Sequence, residues 1–342
     1  MEIPSPLAAK KVSFHPSAGA FHTVGLEHWP GFFRLPGELL ANARKIHRAS
    51  GMKGIKHKLK FIVRGLASPR LTRDWFDLWQ APELAPLAQS HPRVLLKLQR
   101  PYLRRGLDAR ASRQILQQHY CFIVKQLSAA ALAEIFTAPG ALLAGMTLDG
   151  IGRFSVRLFY HDLYEKEGEL SLIFYDEQKQ ARAFVLSFCV SACQPECREI
   201  FVGGLQGFKA ANERESVVAV TRGLFGLRPK ALLLFALQQL AVHWDVQSIR
   251  AVSNETRNLR HRRRAISADY DQFWLESGSD LDANGDFILP LAFVPRKLET
   301  IRPNKRAMYR HRYETLANLS SVIQQNLYRL DGQPSGYALA AA

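Results

Sequence analysis

The stretch Ile200–Gly207, IFVGGLQG, closes an apolar run with three glycines and one glutamine. Its reading decides the fold, because it ends the last of four strand-type runs. Glycines at such a place have two open readings. They make a bulge or tight turn, with Gln206 capping a neighbouring backbone group, or they let a ligand approach the strand edge, with Gln206 orienting a carbonyl.

Upstream lie GRFSVRLFYH, GELSLIFYD, ARAFVLSFCV and CREIFVGG, rich in β-branched and aromatic residues and separated by turn formers. Their short spacing predicts an antiparallel meander. Downstream, a loop is expected, then a buried helix over RPKALLLFALQQLAVHW with Pro229 suited to its first turn. A strand at VQSIRAVSN, a short helix at DYDQFWLESG and a strand at GDFILPLAFV follow. A basic helix over NKRAMYRHRYETLANLSSVIQQNL closes the fold. The expected class is α+β, with a mixed, mostly antiparallel sheet. The expected organisation is a basic, mainly helical region over 1–140, an α/β core over 141–300, a C-terminal basic helix over 301–330 and a disordered tail over 331–342.

The charge is unevenly placed. Residues 1–125 hold 21 Lys and Arg against 7 Asp and Glu, so they carry +14 of the net +16 of the chain. That asymmetry points to an acidic partner, either an anionic membrane surface or an acidic carrier protein. Nucleic acid is less favoured, because no strand shows an RNA-recognition pattern of aromatics. Within this region Ile55, Leu59, Ile62 and Leu66 share one helix face, with Lys53, Lys56, Lys60 and Arg64 around the rest. Such a helix either packs that face inward or lies on an anionic bilayer.

The N-terminus lacks the pattern of a signal peptide, and no run of 18 apolar residues appears, so the expected location is cytoplasmic, or peripheral to an inner membrane. Cys189, Cys193 and Cys197 are spaced C-x₃-C-x₃-C, without a nearby fourth ligand. Buried thiols are favoured over a metal site.

The order of elements resembles the GNAT superfamily of N-acyltransferases. In that family the fourth strand ends in a loop whose amides bind the pyrophosphate of acyl-coenzyme A. The next helix aims its N-terminus there. The corresponding loop would be TRGLFGLRPK, with Gly223 and Gly226 exposing backbone and Arg228 and Lys230 adding charge. The family's Q/R-x-x-G-x-G/A signature is absent. The resemblance implies acyl-coenzyme A or an acyl carrier protein as donor, held by Gly203, Gly204, Gly207, Gly226, Arg228, Lys230 and Asn254. Tyr270 would protonate the leaving thiolate, Glu276 or Asp271 would act as base, and Gln206 would orient the carbonyl. In the alternative, Tyr270 and Trp274 are core and the acids pair with Arg260–Arg264.

Eight motifs occur in order from Trp75 to Leu327: RPYLRR, ILQQHY, EGELSL, GGLQG, GLRPK, AVSN, DYDQFW and KRAMYRHRY. Together they resemble the VirK/YbjX family of bacterial proteins, a domain of unknown function. The resemblance implies a role in the cell envelope, virulence and resistance to antimicrobial peptides. It implies no settled reaction. A non-enzymatic protein that binds membrane or RNA through the basic region is the alternative.

Overall fold

The computed structural model describes residues 34–49, 51–194, 197–207, 213–258 and 269–332, leaving aside the side chains of residues 193, 194, 213 and 214. Arg260–Arg264, Cys193 as a ligand, and nearly all of the expected tail lie outside the described residues.

The protein is α+β. Its helical N-terminal part runs α1 (Leu35–Ile46), α2 (Gly51–Ala67), α3 (Pro69–Leu78), α4 (Ala85–Ser90), a 3₁₀ segment (Pro92–Gln99), α5 (Ala109–Gln126) and α6 (Ala129–Ile135). Short polar residues start the later helices. Asp108 accepts the Ala111 N–H at 2.7 Å, and Ser128 accepts that of Ala131 at 3.2 Å.

Five strands follow as an antiparallel meander: β1 (Ala141–Leu148), β2 (Gly152–Phe159), β3 (Leu170–Asp176), β4 (Ala181–Gln194) and β5 (Cys197–Gln206). Helices α7 (Glu213–Gly223) and α8 (Pro229–His243) then carry the chain to β6 (Ser248–Val252), which pairs parallel to β5. Next come α9 (Tyr270–Glu276), β7 (Asp280–Leu281), β8 (Asp286–Leu289) and the C-terminal α10 (Pro303–Leu330). The sheet has eight strands in the order β1-β2-β3-β4-β5-β6-β8-β7. Helix α8 is apolar on all sides and buried, so it packs on β3, β4 and α10. Most buried apolar side chains form one contiguous cluster from Leu35 to Leu330, and Phe159, Ile173 and Val185 form a small second one.

Three elements differ from the sequence expectation. Strand β1, ALLAGMTL, carries no Val or Ile and so lacks a β signal; β2 recruits it through the Asp149–Gly150 turn, where Gly150 has φ +68°. The two-residue β7 is too short to show in any pattern. Helix α7 occupies the expected loop after β5, because Val220 and Leu224 bury an apolar side. The glycine-rich turn after it ends that helix: Phe225 and Gly226 have φ +52° and +77°, and the Gly226 N–H reaches the Thr221 carbonyl at 2.7 Å.

In α2 the structure rules out one of the two readings left open, the apolar face packed inward. The buried residues of α2 are Gly54, Phe61 and Gly65, packed toward α1 and the 3₁₀ segment. Ile55, Leu59 and Leu66 of the expected apolar face are exposed, and Ile62 is half-buried. Small residues permit a closer approach of helices than a leucine face does, and here Gly65 lies against Leu39.

Candidate functional site

Strand β6 pairs with β5 only over Glu199–Val202, so β5 runs on to Gln206 without that neighbour. The meander still holds its other side, with Leu186 opposite Leu205 and Val185 opposite Gln206. A bulge falls at Gly203, between the pairs Ser187–Gly204 and Phe188–Val202.

The glycines face a second segment of chain. A Cβ on Gly203 would lie 2.9 Å from the carbonyl carbon of Glu167, and one on Gly204 would lie 2.6 Å from the Glu167 Cδ. A Cβ on Gly168 would meet the Phe188 backbone at 2.5 Å. The stretch Glu165–Glu169 therefore crosses β4 and β5 in contact, and glycine is what lets two backbones meet there. The expected open slot for a donor at Gly203 and Gly204 is filled by Glu167 and by Leu103. Gly207 ends the described part of this strand exit.

The crossing segment buries three carboxylates. Glu165 pairs with Arg93 at 2.7 Å and with Arg100; Glu169 pairs with Lys97 at 2.6 Å and accepts the Tyr120 hydroxyl. Glu167, 6% exposed, accepts the Gln206 side-chain N–H group at 2.7 Å on each oxygen. The local sequence EKEGE reads as a solvated turn.

Tyr270 closes the other edge. The Leu205 N–H, unpaired by β6, donates to the Tyr270 hydroxyl at 2.9 Å. Burial, and then the Glu167 charge, push the Tyr270 phenol well above its ordinary range, so it stays protonated. The Arg257 guanidinium stands 5.4 Å from its ring centroid. Trp274 fixes the helix by donating to the Val252 carbonyl at 3.0 Å.

Asn254 organises the start of α9. Its Oδ1 accepts the Tyr270 N–H at 3.1 Å, its Nδ2 donates to Asp269 at 2.7 Å, and its own N–H donates to Asp271 at 2.7 Å. Both ends of its amide are engaged within the fold, and Asp271 is engaged as an acceptor.

On the opposite side of α9 lies a cleft of about 290 Å³ lined by Phe184, Val217, Arg228, Lys230, Gln272 and Glu276, among others. It opens at the same end of the sheet, since Phe184 precedes the Val185 that faces Gln206. Arg228, at the N-cap of α8, donates to Glu276 at 2.8 Å, and both are exposed. Gly226 stands apart from this cleft lining. Its neighbour Phe225 offers its carbonyl to Arg312 at 2.8 and 3.0 Å, and a Cβ on Gly226 would meet that guanidinium at 2.7 Å. The structure thus brings Gly203, Gly204, Gln206 and Tyr270 together around Glu167. It gathers Arg228, Lys230 and Glu276 in the adjoining cleft. Residue Arg306, at the start of α10, serves the Ile301 carbonyl, and Tyr313 that of Arg296.

A family described as a protein of unknown function, DUF535, matches residues 50–325, which contain every residue of this site. The chain belongs to the DUF535 family. The DUF535 chain is 33% identical over 263 residues to the uncharacterized protein YbjX of Escherichia coli strain K12, covering 75% of this chain and 79% of that protein. Two uncharacterized proteins of Haemophilus influenzae are 32% identical over 128 residues and 28% identical over 130. Each of these two covers 37% of the DUF535 chain and 44% of its own length.

Among the described residues, no group of three or more His, Cys, Asp and Glu could hold a metal ion. Cys189 is buried in β4 and Cys197 half-buried at the start of β5. No helix among them is long and apolar enough to cross a membrane.

Proposed function

We propose that this DUF535 protein is an acyltransferase serving the cell envelope, with Glu167 rather than Glu276 as its base. The observation that carries this reading is the meeting of Gln206, Tyr270 and Glu167 where β5 outruns β6. An acceptor amine would lose its proton to Glu167 and attack the thioester carbonyl. The C–S bond would break, and Tyr270 would return a proton to the thiolate. Because the Tyr270 oxygen accepts from Leu205, its own proton is left to donate. The anionic end of acyl-coenzyme A or an acyl carrier protein would enter by the cleft at Arg228 and Lys230. The element order, with a parallel β5–β6 pair joined through α8, supports the same reading. Gly203 and Gly204 have no donor-binding part in it, because Glu167 fills their approach.

The test is thiol release from acyl-coenzyme A and from acyl carrier protein, with an amine acceptor. The expected result is release by the native chain, falling at least about a hundredfold in Glu167→Gln and Tyr270→Phe with coenzyme A binding kept. Release that is equal in Glu167→Gln, or absent with both donors, would overturn the proposal.

A second reading rests on how completely the crossing is closed. Gln206 and Tyr270 both find partners inside the fold, so the Glu167 cluster also serves as a lock between segments. The protein would then be a non-enzymatic peripheral protein.

A further inference from the structure

We infer that α2 is the surface by which this protein lies on an anionic lipid bilayer, independently of any reaction at Glu167. Met52, Ile55, Leu59, Val63 and Leu66 are each at least 45% exposed. At 3.6 residues per turn they fall within about 80° of arc, a single stripe along the helix. The stripe points roughly 140° away from Gly54, Phe61 and Gly65, the residues by which α2 packs on the body. It therefore faces outward, away from the residues that pack on the body.

The charges around the stripe name the partner. Helix α2 carries Lys53, Lys56, Lys58, Lys60 and Arg64 and no Asp or Glu. On the helical projection Lys56, Lys60 and Lys53 follow one edge of the stripe, and Lys58 lies beyond the other. The preceding helix ends in Arg44 and Lys45, and its Glu38 is paired with Arg73 at 2.9 Å. A second copy of this chain would set those cations against themselves. An outward-facing apolar ridge also needs a partner that yields around it. An anionic bilayer satisfies both conditions: acyl chains take the ridge while lipid phosphates meet the lysines.

The ridge is anchored to the sheet. Arg64 donates to the Gln99 carbonyl at 2.8 Å, and the Gln99 amide donates to the Phe61 carbonyl at 3.0 Å. Residues Arg93 and Lys97 of the same 3₁₀ segment then pair with Glu165 and Glu169. Docking by α2 would thus hold the crossing segment at a set distance from the lipid.

The test is co-sedimentation of the full chain with vesicles of phosphatidylglycerol mixed with phosphatidylethanolamine, against vesicles of phosphatidylcholine. The native chain is expected to bind the anionic vesicles, less at high salt, and to leave phosphatidylcholine in solution. The triple variant Ile55→Gln/Leu59→Gln/Val63→Gln changes only exposed positions, so it keeps the native thermal midpoint. Its vesicle partition is expected to fall at least about tenfold. Lys53→Gln/Lys56→Gln/Lys60→Gln is expected to lose the salt dependence along with affinity. Binding within twofold of native in the first variant would overturn the inference. So would native-chain self-association abolished by that variant, binding of an acidic carrier protein or RNA in place of vesicles, or vesicle binding seen only after removal of residues 1–33.

Discussion

The ammonium group of Lys97 stands 2.6 Å from a carboxylate oxygen of Glu169, and both side chains are 1% exposed. Lys97 belongs to the 3₁₀ segment of the helical part, and Glu169 precedes β3, so this pair ties the two parts together. Tyr120 of α5 donates to the second oxygen of Glu169. Lys97 also lies 5.2 Å from the centre of the Tyr160 ring. Removing one partner of a buried pair strands the other charge, which costs more than the pair itself contributes.

Lys97→Met is therefore expected to lower stability by about 3–5 kcal/mol. Adding Glu169→Gln should recover a large part of that loss. Urea unfolding of the single and double variants measures both. A single variant within about 1 kcal/mol of native would contradict the assignment.

Alanine at Gly203 is expected to be worse than alanine at Gly204. The first would press on the Glu167 backbone, the second on the end of its side chain, which can swing away. Overpacking of this kind costs about 1–3 kcal/mol, with Gly203→Ala at the upper end. Thermal midpoints of the two variants give the order, and the reverse order would refute the crossing geometry.

His119 makes stability depend on acidity. It is fully buried, and its Nδ1 accepts the Val190 N–H at 3.1 Å. Burial, and then the nearby Lys97 charge, lower its pKa from 6.5 to about 3. Below 6.5 the unfolded chain takes up a proton that the native state refuses until about pH 3. The contribution of His119 is complete above 6.5 and is lost as pH falls, by about 1.4 kcal/mol per unit. His119→Gln should flatten that part of the stability–pH curve, measured by urea unfolding; an unchanged slope would rule out the group.

Asn254→Ala removes the side chain that braces the start of α9 and its N-cap Asp269. Two side-chain hydrogen bonds go with it, so the expected cost is about 1–2 kcal/mol. If the acyl-transfer proposal holds, thiol release should fall as well, because Tyr270 is the first residue of that helix. Amide exchange at Leu205 reports the loosening directly, and it should rise in the variant.

Burial raises the Cys189 thiol far above its ordinary range, while Cys121 on α5 is exposed. Maleimide at neutral pH is expected to label Cys121 in the native chain and Cys189 only after unfolding. Peptide mass spectrometry separates the two, and native labelling at Cys189 would place it wrongly.

The long apolar periods were legible from the sequence. Helices α8 and α10 and strands β2 to β6 each carry their own signal, because burial of a whole element repeats along the chain. Pro229 at the start of α8 and the aromatics of α9 fall where the sequence places them. Strand β1 was not legible, since Ala and Gly enter a sheet only when a neighbour supplies the pairing. The orientation of helix α2 stays open in the sequence, which allows its apolar face to pack inward or to lie on a bilayer. Periodicity shows that Ile55, Leu59 and Leu66 share a side, but which side turns inward depends on what lies opposite.

For the site, the sequence by itself determined that the end of β5 is unusual, because its glycines and Gln206 stand out there by type alone. It also determined that the positive charge is gathered in the first third of the chain. Only the tertiary structure decided what the glycines are for, since Glu167 reaches them from the loop before β3. The physical reason is range. Helix and strand patterns come from burial repeated between near neighbours. A backbone crossing, a buried carboxylate or an outward-facing apolar ridge is set by one distant segment, and no local rule encodes the meeting.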